Sequence, residues 1–251
     1  VFSEEYRDGL RDLLTGRARA DPDLIGVALT GSSSQGTEDR WSDIDMAVGV
    51  ASNRSLDEVI ADWTRYMYDT HDVVDHVDVM SRNTVYRVFL LANTLQIDIA
   101  FAPEGEFGAR AATFRLLSGV ARDQPWLPSP DPAELVGMAW LYALHARSSI
   151  ARGKGWQAEY MISALRDQVV MLACLRHGLP AREGRGVDML PTRLTESLEG
   201  ALVRETTRPG LVAAFTWSAE LLVDEIRHLG VDRADRIIPV IEELVGTTPD
   251  G

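Results

Sequence analysis

The sequence predicts an α+β chain in two parts: a small mixed sheet with its helices over residues 1–124, then an all-α helical bundle over 125–251. Three observations predict it. Strand-length apolar runs recur between residues 24 and 101. Beyond residue 132 nearly every segment carries its apolar residues at helical spacing. Between the two parts, Gln124-Pro125-Trp126-Leu127-Pro128-Ser129-Pro130-Asp131-Pro132 places four prolines in nine residues, which reads as a semi-rigid linker rather than a helix.

Taken in order, Tyr6, Leu10, Leu13 and Leu14 mark a helix over residues 3–19, and Leu24 to Leu29 is strand-like. Met46 to Val50 is a second strand, and Leu56, Val59, Ile60, Trp63 and Met67 mark an amphipathic helix. Val73 to Met80, Val85 to Ala92 and Leu95 to Phe101 read as three further strands, the last two joined by a short Asn93-Thr94 turn. The second part predicts helices at about 132–152, 156–177, 191–204, 208–229 and 233–246. Asp131-Pro132 is a plausible N-cap with proline in the first turn, and Gly178 after His177 a plausible C-terminal stop.

The chemistry concentrates in Thr30-Gly31-Ser32-Ser33-Ser34-Gln35-Gly36-Thr37-Glu38-Asp39-Arg40-Trp41-Ser42-Asp43-Ile44-Asp45. On a strand, residues i and i+2 share a face, so Asp43 and Asp45 project side by side. Two ionised carboxylates that close repel unless a cation lies between them, and hard oxygen ligands suit Mg²⁺. Glycine at residue 31 lets backbone N–H groups approach a phosphate, Ser32 adds a hydroxyl donor, and a helix starting at Ser32 or Ser33 would favour an anion further. Leu95-Gln96-Ile97-Asp98-Ile99-Ala100-Phe101 is an apolar strand interrupted by one acid, which needs a cation, a hydrogen-bond partner or water. If that strand lies beside the one carrying Asp43 and Asp45, three carboxylates converge, enough for two metal ions.

Gly31-Ser32, Ser42-Asp43-Ile44-Asp45 and Asp98 in its apolar strand together resemble the nucleotidyltransferase superfamily that includes DNA polymerase beta, and within it the small bacterial antibiotic nucleotidyltransferases acting on aminoglycosides or lincosamides. The motif part of the resemblance spans roughly residues 24–101; the rest is similar only in length and helical character. The resemblance implies a Mg²⁺-dependent adenylyltransferase-like enzyme using ATP or another NTP. Asp43, Asp45 and Asp98 would hold the metals, and Gly31 and Ser32 the phosphates. Many relatives carry an arginine where this chain has Gln35, and Arg40 is the candidate to supply that charge.

Gly155 to Gln168 offers Glu159, Arg166 and Asp167 on an otherwise apolar helix. Glu159 and Arg166 are two turns apart on one face. Glu159 reads either as the general base for an acceptor hydroxyl or, with Arg166, as part of a structural ion-pair network between helices; Asp167 would orient Arg166 or bind a cationic substrate. His71, Asp72, Asp75, His76 and Asp78 read as a turn and strand edge rather than a metal site. Arg87 is read on the sheet's open surface near Asp98. Arg147, Arg152 and Lys154 suit a helix C-terminus, and Trp156 and Tyr160 suit packing or stacking.

Composition bounds the rest. The chain has 251 residues, 45% hydrophobic and 25% charged, long enough for a sizeable core. No apolar run of membrane-spanning length occurs, the first residues lack signal-peptide character, and the one cysteine, Cys174, sits in an apolar helical run, so the expected setting is cytoplasmic. A formal net charge of −13 disfavours nucleic acid and suits a cationic small-molecule acceptor. Two other readings share these residues: a toxin-type or regulatory transferase acting on a protein or tRNA end, and a non-catalytic nucleotide-binding module. The chain is read as a monomer or homodimer.

Overall fold

The computed structural model describes residues 1–230 and 232–248; residue 231 and residues 249–251, the end of the expected bundle, lie outside the described residues. The fold is mixed α/β: a six-stranded mixed sheet with helices, followed by a helical region. By internal contacts the chain divides into two compact units, Val1–Leu127 and Pro128–Gly251.

In the first unit, helix α1 (Glu4–Ala20) starts where the Ser3 side chain accepts from the Tyr6 N–H, with Glu4 and Glu5 in the first turn and Arg17 and Arg19 in the last, charges that complement the helix dipole. Strand β1 (Leu24–Thr30), the short helix α2 (Gly31–Gln35), strand β2 (Ile44–Val50) and helix α3 (Leu56–Thr70) follow. Strands β3 (Val73–Ser81), β4 (Thr84–Leu91), β5 (Gln96–Pro103) and β6 (Phe114–Gly119) complete the sheet in the order β3-β4-β5-β2-β1-β6. Only β2 and β5 pair in parallel. The β4–β5 hairpin closes at Asn93-Thr94 as expected: the Asn93 carboxamide accepts from the Leu95 N–H, and Thr94 takes the positive φ that a tight turn needs. Strand β6 was not expected; its edge position leaves it mostly exposed or half-buried, so it carries little hydrophobic pattern.

The two faces of the sheet differ. On one, Ile44, Met46, Val48, Ile97, Ile99 and Phe101 alternate inward against Leu10 and Leu14 of α1 and Val59, Trp63 and Met67 of α3. On the other lie the small residues Ala28, Ala47, Ala100 and Ala102 with Phe107, whose ring occupies the space that side chains at Gly26 and Gly49 would need.

The second unit is helical: α4 (Pro132–Ala151), α5 (Gly155–Arg176), α6 (Thr192–Glu199), α7 (Arg208–Leu229) and α8 (Ala234–Gly246). Asp131 caps α4 by accepting from the Ala133 N–H at 2.9 Å, and Gly178 takes φ +67° after α5, both as expected. Ala139, Ala143 and Ala146 form a seam at helical spacing that lets α4 lie close to Ile162, Leu165 and Val169 of α5. Helix α6 is shorter than the expected 191–204: from Gly200 the chain passes into i→i−3 turns, the Ala201 N–H donating to Leu198 and the Leu202 N–H to Glu199. Among the described residues no helix is long and apolar enough to cross a membrane.

Candidate active site

Residues of the first unit bring three acids together. In the parallel β2–β5 ladder Asp45 stands directly beside Asp98, on the face opposite α1 and α3. Asp43, two residues before Asp45, joins them. One carboxylate oxygen of each lies within 4.8 Å of the others, and all three side chains are half-buried. Among the described residues this is the one group of acids, histidines or cysteines that meets a metal-ligand geometry. Its donors are all hard oxygens, a set that fits Mg²⁺, Mn²⁺ or Ca²⁺ rather than zinc.

The electrostatics of the cluster are unsettled by design of the fold. Burial pushes the Asp98 carboxyl above its ordinary value, and the charge of Asp43 pushes the same way. The opposing influence is Gln96, whose side-chain amide donates to Asp98 Oδ1 at 2.9 Å and reaches Asp43 Oδ2 at 3.4 Å. Gln96 escaped the sequence reading, although it shares a face with Asp98 by the same i, i+2 alternation that pairs Asp43 with Asp45.

The Gly-Ser turn sits against this cluster. Gly31 has φ +57°, and a Cβ built there would fall on the Asp45 carboxylate, so both backbone conformation and space require glycine. Helix α2 begins at Gly31, one or two residues earlier than expected. Ser33 Oγ donates to the Thr30 carbonyl at 2.9 Å and Ser34 Oγ to the Gly31 carbonyl at 2.7 Å. Among the described residues the Ser32 hydroxyl makes no such bond, so of the three serines it is the one available to a ligand.

A second framework delivers Asp43. Asp39 Oδ1 accepts from the Trp41 N–H at 2.8 Å and the Ser42 hydroxyl at 3.1 Å, which holds the Asp39 carboxyl below its ordinary value, while Ser42 Oγ accepts from the Asp39 N–H. Helix α1 anchors this loop: Arg7 donates to the Asp39 carbonyl, and Arg11 pairs with Glu38 at 2.6 Å. Arg115 on β6, also missed, donates to the Ser33 carbonyl at 3.2 Å. Arg40 is exposed, with its guanidinium 4.6 Å from the Trp41 ring.

The remaining sequence expectations divide: Arg87 and the Glu159–Arg166 network change, while the His71–Asp78 edge stands. Arg87 does not face Asp98: it aligns with Ile99, on the α1 and α3 face, pairs with Asp78 at 2.7 Å and donates to Thr64 of α3. His76 bonds Tyr68, His71 bonds Tyr66 and Asp78 bonds Arg87, so the His71–Asp78 stretch is a strand edge and not a ligand set. In the second unit Arg166 pairs with the neighbouring Asp167 at 2.8 Å rather than with Glu159, which instead accepts from Ser163 Oγ at 2.8 Å. Among the described residues neither Glu159 nor Arg166 enters an ion pair with another helix, so the expected inter-helix network is not formed. Arg166 and Asp167 line a cavity of about 610 Å³ floored by Val170, Met171 and Leu198; Glu159 does not line it.

No family model matches the chain, and no curated protein matches it. It is similar to the crystal structure of an aminoglycoside 6-adenyltransferase from Bacillus subtilis, with 12% identity, a TM-score of 0.40, and coverage of 93% of this chain and 96% of that one.

Proposed function

We propose that this chain is a metal-dependent nucleotidyltransferase that moves a nucleoside monophosphate, AMP from ATP, onto a hydroxyl of a small molecule and releases pyrophosphate. One observation carries the reading: the parallel register that sets Asp45 beside Asp98, with Asp43 close enough that three carboxylate oxygens lie within 4.8 Å of one another. Carboxylates are brought that close at a cost unless a cation joins them.

In this reading Asp43, Asp45 and Asp98 hold up to two Mg²⁺ ions. The metal supplies positive charge to the phosphates and lowers the pKa of the attacking hydroxyl. The Gly31 backbone and the Ser32 hydroxyl bind the leaving phosphates, with Arg40 as a further phosphate contact. The acceptor oxygen attacks the α-phosphorus, the bond from that phosphorus to the bridging oxygen breaks, and pyrophosphate leaves with the electron pair. Glu159 is the proposed general base; Ser163 occupies Oε1, which leaves Oε2 to take the proton. Arg166 and Asp167 are the proposed acceptor contacts. An aminoglycoside-type polycation suits the net charge of −13, which also weighs against nucleic acid.

Pyrophosphate release from Mg-ATP, measured with and without a panel of aminoglycosides and lincosamides, tests this. Release that requires one antibiotic should fall by about 10²–10³-fold in Asp43→Asn, the scale on which loss of one transition-state charge contact acts. Glu159→Gln should lower turnover far more than ATP affinity. Metal-dependent ATP binding without release for any panel member would redirect the search to other acceptors. Absence of both binding and release would remove the catalytic reading of the three acids.

A further inference from the structure

The sheet has two edges, and they are built differently. Strand β6 is six residues long, shifts register against β1 between Val27 and Ala28, carries Arg115 and ends in Gly119. A short, irregular, charged strand is a poor template for another strand. Strand β3 is nine residues long, contains no proline, lysine or arginine, and keeps unbroken register with β4 from Asp75 to Ser81; its one shift lies between Val73 and Asp75, and its charges are Asp75 and Asp78. Val74, Val77, Val79 and Met80 on it are 60%, 59%, 55% and 61% exposed. A long, open edge with exposed apolar side chains is a template for strand addition.

The backbone of β3 also says which residues point outward. The His76 N–H is accepted by the Asp75 carboxylate on its own strand, and so is turned away from β4. By the two-residue period, the backbone groups of Asp78 and Met80 face the same way. An antiparallel partner must pair outward groups with outward groups. A second copy does so when the twofold axis passes through Val77. His76 of each copy then stands opposite Asp78 of the other, and the two Val77 side chains meet at the axis. Moving the axis to Asp78 sets two carboxylates face to face, which is unfavourable; moving it to His76 loses both His76–Asp78 pairs. The side chains are prepared for the Val77 register. Arg87 donates twice to Asp78, at 2.7 Å each, and holds its carboxyl below the ordinary value, so it stays ionised. With His76 Nδ1 bonded to the Tyr68 hydroxyl at 2.9 Å, Nε2 is left to donate across the axis.

We infer that β3 pairs with the β3 of a second copy of this chain, antiparallel and centred on Val77, joining two six-stranded sheets into one. The consequence reaches the acid cluster. Register places Val77 beside Val88, Val88 beside Asp98 and Asp98 beside Asp45 in one row across the sheet. A twofold normal to the sheet keeps both copies' acid clusters on the same face, with the two Asp98 strands five strand spacings apart, roughly 24 Å.

Sedimentation equilibrium of the whole chain over a wide concentration range tests the inference independently of catalysis. A reversible dimer is expected. Val77→Lys sets two ammonium groups opposite each other at the axis and should raise the dimer dissociation constant at least roughly tenfold. Met80→Pro removes an outward-facing donor while sparing the bonds to β4, and should act in the same direction. Circular dichroism and thermal melting at low concentration check that both variants keep the fold. A chain that is monomeric throughout, or a dimer indifferent to both substitutions, overturns the inference.

Discussion

Two carboxylates, one in each unit, are completed in opposite ways. Glu225 on α7 is 2% exposed and is held by Arg176 of α5 through two bonds, at 2.8 Å and 2.7 Å. The forked guanidinium matches the carboxylate, and the pairing in turn raises the Arg176 pKa. Asp98 on β5 has a neutral amide from Gln96 and a like-charged neighbour, Asp43. Among the described residues, no arginine or lysine pairs with Asp98 or Asp43. The chain thus satisfies the acid that joins two helices from its own side chains. Asp98 and Asp43 receive only the neutral Gln96 amide among the described side chains that bond them. That difference separates an ion pair that serves the fold from a cluster proposed to take a metal ion.

The sharpest way to break the comparison is to remove the internal partner. Arg176→Ala should cost about 3 kcal/mol of stability, the lower end for stranding one charge of a buried pair, since Arg176 itself is partly reached by water. Urea unfolding measures it, and a loss below about 1 kcal/mol would place the pair with ordinary surface ion pairs. The acid cluster should respond to what is added rather than to what is removed. Mg²⁺ at about tenfold above its dissociation constant should stabilise the wild-type chain by about 1.4 kcal/mol against a salt-matched control. Asp45→Asn should abolish that gain, and Arg176→Ala should leave it intact. If Arg176→Ala also removed the Mg²⁺ response, the two acids would not be independent.

Much of this was legible in the residues, and the gaps have physical causes. The helical period in the second half located α4, α5, α7 and α8 to within a residue or two. Alternation placed Asp43 with Asp45 and put Asp98 in a strand. What one sequence cannot carry is which strands become neighbours. The β2–β5 pairing joins strands separated by α3, β3 and β4, and it alone sets Asp45 beside Asp98. Arg87 was read on the wrong face because the face of β4 is decided by its register against β5. The expected end of α6 runs too far because the i→i−3 turns over residues 200–202 carry the same short-range periodicity as the helix. Arg115 donates to the Ser33 carbonyl, and Arg7 to the Asp39 carbonyl besides pairing with Asp8 and Glu38; no residue pattern announces those carbonyl contacts.

The finest test of the comparison is the pH dependence of the metal-free chain. Burial and then the Asp43 charge raise the Asp98 pKa in the folded state, so between its unfolded value, about 3.9, and that raised value the native state binds more proton than the unfolded state. Stability from this group is therefore lost as pH rises through that window, and the deficit persists at neutral pH. Asp98→Asn removes the charge while keeping an acceptor oxygen. In EDTA, the difference in melting temperature between Asp98→Asn and wild type should grow in favour of the variant as pH rises above 4, and then level off. Saturating Mg²⁺ favours the charged form of Asp98 and should reverse the sign at neutral pH. Glu225, satisfied by Arg176, has no such reason to gain from neutralisation: Glu225→Gln should destabilise the chain at neutral pH with or without metal. A melting difference for Asp98→Asn that stayed flat with pH and blind to Mg²⁺ would mean that water or the Gln96 amide already completes the cluster, and the distinction between the two acids would collapse.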